Sequence, residues 1–88
     1  MELEEINKAV HEELDVPQAI HLIRELQAMI TQDLDKAEAV KEKTGKYSIA
    51  PLYRVRQTLV ILEKLGLRYR KLSIELEKEL KQEKQNGK

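Results

Sequence analysis

Residues 52–80, LYRVRQTLVILEKLGLRYRKLSIELEKEL, contain no proline, and their apolar side chains fall on two stripes where a simple amphipathic helix has one. At 100° per residue, Leu52, Val55, Leu59, Leu62, Leu65, Tyr69, Leu72, Leu76 and Leu80 fill one broad arc with the three–four spacing of a packed helix seam. Gly66 and Ser73 lie in the same arc, where small residues let a second helix approach closely. A second set, Tyr53, Val60, Leu67 and Ile74, recurs every seven residues away from that arc. One neighbouring helix cannot cover both directions. This stretch therefore predicts a long helix with an internal face and a second face that something else must cover.

The rest of the chain supplies the internal partner. Leu3, Ile6, Val10 and Leu14 recur at helical spacing and predict a short amphipathic helix over residues 2–14. Asp15-Val16-Pro17-Gln18 reads as a break and restart. The Asp15 carboxylate can accept from the amide of residue 18 while the Gln18 side chain reaches back, and Pro17 in a first turn loses only an N–H without a partner. A single helix kinked at Pro17 is the alternative. The second helix is expected over 16–43, with the stripe Ala19, Leu22, Ile23, Leu26, Met29, Ile30, Leu34 and Ala37 facing inward. Thr44-Gly45 should stop it, with Lys41 and Lys43 complementing the negative end of its dipole. Ser48 is the expected cap of a third helix over 49–83, Pro51 is tolerated in its first turn, and residues 84–88 should fray.

Composition agrees with this class. Leu, Ile and Val make up 25 of 88 residues, while Trp and Phe are absent and Tyr numbers three, so the core must be aliphatic. The strongest helix formers dominate the remainder. The expectation is one all-α domain over residues 1–88: a long antiparallel helical hairpin with a short N-terminal helix, forming a dimeric helical bundle. The longest apolar run, Leu59 to Leu62, is far too short for a membrane span, and the acidic start is unlike a signal peptide. Zero Cys excludes disulfides and thiolate zinc sites and agrees with a reducing compartment, so the expected location is the cytoplasm.

The second face is the first functional signal. Arg56, Glu63, Arg70 and Glu77 flank the Tyr53–Val60–Leu67–Ile74 line on one side; Gln57, Lys64, Lys71 and Lys78 flank it on the other. An apolar line with charged borders is how helices select partners and orientation. Burying a Leu or Ile fully contributes about 1.5–3 kcal/mol, so exposing three aliphatics per chain is a substantial loss in a monomer. A second copy of the chain, making a homodimer, is the expected cover. The folded-back first helix, too short for the whole line, and a partner helix of another protein are the alternatives. Scattered surface apolars are the bland reading. The expected interface comprises Tyr53, Val60, Leu67 and Ile74 with Arg56, Glu63 and Arg70.

Charge is the second signal. The net is zero, but residues 1–35 hold two basic against nine acidic side chains and residues 36–72 hold ten against three. A hairpin turning near Tyr47 gathers Lys41, Lys43, Lys46, Arg54 and Arg56 at its tip, with Tyr47 and Tyr53 among them. Cations beside aromatic rings suit phosphate contact with base stacking, so these seven residues are the candidate DNA- or RNA-binding set. Internal pairing, with Arg68 roughly opposite Glu25, and a plain solvated tip are the alternatives.

The segment RVRQTLVILEKLGLRYRKLSIELEKE, residues 54–79, resembles the helical segment of the bacterial histone H1-like proteins of the chlamydial type. The resemblance is carried by Arg54, Arg56, Leu62, Glu63, Lys64, Tyr69, Arg70, Lys71, Ser73, Ile74 and Lys78. DLDKAEA, residues 33–39, resembles the end of that family's preceding helix. It implies a nucleoid-associated, nucleic-acid-linked role. The chain differs in its charge-balanced residues 73–88, where that family carries a Lys/Ala-rich tail, and in its acidic first helix.

Catalysis is not expected. His11 and His21 are the two imidazoles. His21 and Glu25 share a face, but a di-metal bundle needs Glu-x-x-His and position 18 is Gln. Ser48 and Ser73 have no His–Asp arrangement to activate them, and the three glycines are isolated. No metal and no cofactor are expected.

Overall fold

The computed structural model describes residues 2–86 and consists of three helices, α1 (Leu3–Val10), α2 (Val16–Thr44) and α3 (Ile49–Asn86). Helices α2 and α3 form an antiparallel hairpin, and α1 folds back into it. No helix among the described residues is long and apolar enough to cross a membrane. The molecule measures 63 × 25 × 18 Å, with a radius of gyration of 17.6 Å. A compact chain of this length would have about 12 Å, so this is a rod with a thin core.

Local chemistry sets the boundaries. At Asp15 the backbone is extended, the Gln18 amide donates to Asp15 Oδ1 at 2.8 Å, and the Asp15 amide donates to Gln18 Oε1 at 3.1 Å. This reciprocal capping box makes α2 a separate helix and removes the kinked alternative. α1 stops at Val10, four residues short of the expected 14. The reason is tertiary: the Arg68 guanidinium donates to the carbonyls of Val10 and Glu12, drawing the chain out of helix into the extended entry to α2. The amides of His11 and Glu12 turn to the carbonyls of Lys8 and Ala9, tightening the last turn.

At the other end of α2, Gly45 takes φ 79° and its amide donates to Lys41 O at 2.7 Å, the left-handed stop expected there. The Thr44 hydroxyl donates to Val40 O at 2.8 Å and accepts from the Lys46 amide at 3.3 Å, which tightens the turn. α3 runs three residues past its expected end. Of the ending expected to fray, residues 87 and 88 lie outside the described residues.

The core is Ile6 and Val10 of α1, Ala19, Leu22 and Leu26 of α2, and Ile61 and Leu65 of α3, with Leu62, Tyr69 and Leu72 half-buried around it. Two expected faces are corrected. On α2, Leu34 is exposed and Asp33 takes the inward position. On α3 the buried arc is turned toward Ile61, centring on Pro51, Thr58, Ile61 and Leu65, while Leu52, Leu59, Leu76 and Leu80 are exposed. α1 causes the rotation by packing along the Ile61 edge. Leu76 and Leu80 are bare because α2 begins too late in the chain to reach them, and every residue from Ile74 to Glu83 is exposed.

Candidate functional site

The hairpin turn exposes Lys41, Lys43, Lys46 and Tyr47 together. Lys41 Nζ sits 4.5 Å from the centroid of the Tyr47 ring, a cation–π contact that uses one face of that ring. Arg54 and Arg56 do not join them as one patch, because two residues on a helix point nearly opposite ways. Arg54 turns toward α2, where its Nε donates to Asp33 Oδ1 at 3.0 Å. Arg56 turns outward, its guanidinium carbon 5.6 Å from the Tyr53 ring centroid. The Tyr53 hydroxyl in turn accepts from Gln57 Nε2 at 3.1 Å, which holds the ring against the helix surface. The seven sequence-selected residues thus divide into a tip cluster of Lys41, Lys43, Lys46 and Tyr47, a structural cation at Arg54, and an outward pair, Tyr53 and Arg56.

The outward pair belongs to the second face. Tyr53, Val60, Leu67 and Ile74 are 51, 52, 58 and 51% exposed. α1 does not cover them: Leu3, Glu4 and Asn7 face Gln57, Val60, Ile61 and Lys64 across a groove along one border of the line, and Val60 stays half bare. On the other border a shallow groove is lined by Leu59, Leu62, Glu63, Gly66, Leu67 and Arg70. Gly66 forms its floor, with nothing within 4 Å of where a Cβ would stand.

Sequence periodicity missed this second wall. Periodicity fits Leu52, Leu59 and Gly66 to the internal arc, yet they stand beside the outer line. The signal that could have found it is the polar insertion at Asp33. An acid in the inward stripe of α2 calls for a cation opposite, and placing Arg54 inward turns Leu52 and Leu59 out.

The outer surface of α3 is therefore two apolar rows, Leu52–Leu59–Gly66 and Tyr53–Val60–Leu67–Ile74. Between them run Arg56, Glu63, Arg70 and Glu77, alternating in sign. Apolar rows bordering ordered charges are the kind of surface on which a second helix can bury area, with the charge order setting which helix fits. Compared with protein-family models, curated proteins and solved structures, the chain matches none.

Proposed function

We propose that this chain is a non-enzymatic helical interaction module, working in the cytoplasm, that receives a partner helix along the outer face of α3. The observation that carries this reading is the half-exposed run Tyr53, Val60, Leu67 and Ile74, repeated every seven residues beside a groove floored by Gly66. Helix-in-groove recognition needs such a line of anchors with polar borders. The experiment is a photo-crosslinking residue at position 63, irradiated in cells making the full chain. A discrete adduct that disappears with Leu67→Glu supports the module. Absence of any adduct, to itself or to another protein, overturns it.

A second reading is favoured by the tip and by the histone H1-like resemblance of residues 33–79. In it Lys41, Lys43 and Lys46 grip phosphates beside Tyr47, with Arg56 and Tyr53 at the margin. Four cations on duplex DNA would give log K a slope of about −3 to −4 against log salt. A mobility shift at low salt that vanishes when Lys41, Lys43 and Lys46 become Ser supports it. No shift at low salt removes it.

A further inference from the structure

We infer that the helix received on this face is α3 of a second copy of the chain, lying antiparallel, with the two-fold axis passing at Gly66 and Leu67. The inference rests on the interaction-module reading and names its occupant.

The argument is one of charge order. The charged row runs between the two apolar rows, on the contact line, so in an antiparallel pair it lies against the same row of the other helix in reverse order. In a parallel pair it lies against the same row in the same order. The row Arg56, Glu63, Arg70, Glu77 alternates in sign. Laid antiparallel against itself, Arg56 meets Glu77 of the second copy and Glu63 meets Arg70 of the second copy. By symmetry each pairing occurs twice, so every charge in the row finds its opposite. In a parallel pair in register each charge meets its own kind, arginine against arginine and glutamate against glutamate. A parallel pair slipped by one heptad matches charges but leaves open ends and does not close. An antiparallel register slipped by one heptad either way sets like against like along the row, and one slipped by two heptads keeps half of the ion pairs.

The same register orders the apolar rows without further adjustment. Val60 faces Ile74 of the second copy, and Leu67 faces Leu67 on the axis. On the groove side Leu52 faces Leu80 of the second copy, Leu59 faces Ser73, and Gly66 faces Gly66, where the helices come closest. Leu80, which α2 cannot reach, gains a cover. The overlap spans nearly all of α3, and the seven-residue repeat suits a left-handed crossing. Lys64 falls on the border toward α1, in the groove with Glu4, and both Lys64 and Lys71 stay in solvent.

The test uses the full chain, which has no cysteine of its own. Light scattering should give the mass of two chains. Glu63→Arg should weaken pairing about ten-fold or more, and adding Arg70→Glu to the same chain should restore it, since the swapped row again complements itself. Under mild oxidation Arg56→Cys and Glu77→Cys chains should stay single separately and join when mixed. Joining of Arg56→Cys to itself, or a double swap that stays weak, overturns the antiparallel register. A one-chain mass at high concentration overturns the second copy alone; the module reading then stands on an adduct from position 63 to a different protein and falls without one.

Discussion

Asp33 of α2 and Arg54 of α3 meet at 3.0 Å across the hairpin, an acid with 11% of its side chain exposed held by a guanidinium that is half in solvent. The pair stands where the α2 stripe would otherwise carry an aliphatic residue, and it aligns the tip half of the two helices. Beside it, buried Thr58 donates its hydroxyl to Arg54 O at 2.9 Å.

Removing one member should therefore cost more than removing both. Arg54→Met leaves the Asp33 carboxylate without its cation and is expected to destabilise by about 2 kcal/mol, toward the low end for a buried pair because Arg54 is itself solvated. Asp33→Leu with Arg54→Met should recover most of that loss. Urea unfolding of the four chains of this cycle measures the coupling.

Arg68 is the clasp that places α1. Its guanidinium serves the carbonyls of Val10 and Glu12, and charge-assisted bonds of this kind contribute about 1.5–3 kcal/mol. Arg68→Met should free α1 and uncover Ile6 and Val10, which are fully buried. Amide hydrogen exchange should quicken across residues 3–10 before it changes in the α2–α3 pair.

Gly66 separates folding from association. Nothing surrounds its Cβ position, and glycine inside a helix costs about 1 kcal/mol relative to alanine. Gly66→Ala should raise the melting temperature of the single chain. Gly66→Gln should also fold well, yet fill the groove between Leu59 and Leu67 and block docking of a second helix. Calorimetry and light scattering on the same samples resolve the two effects.

Gly45 behaves in the opposite sense. At φ 79° a Cβ is strained whatever the space around it, so Gly45→Ala should destabilise by about 1 kcal/mol, with the loss seen as a lower urea midpoint.

Much of the architecture could be read from residue order because its signals are local. The Asp15–Gln18 box, Pro17, and Gly45 after Thr44 each act within one turn of chain, and the helix boundaries follow them closely. The facing of α3 could not be read the same way. Aliphatic residues surround that helix, so periodicity offers several arcs of similar quality. The choice among them is made by Arg68 reaching back 58 positions to Val10 and by Arg54 reaching Asp33. Pro51 and Thr58, both buried, carry no hydrophobic signal at all. The Tyr53–Val60–Leu67–Ile74 line was visible because its repeat is regular. Its companion row was hidden because the same leucines fitted an internal seam equally well.

With the antiparallel pairing proposed above, the unequal lengths of α2 and α3 turn the end of α3 into a gauge of the chain's own concentration. Segments with no tertiary packing rely on helix propensity alone, which holds a dozen residues only marginally. Trypsin should therefore clip at Lys78 and Lys81 quickly in dilute chain and slowly once a neighbour lies over Leu80, so the cleavage rate becomes a direct readout of occupancy.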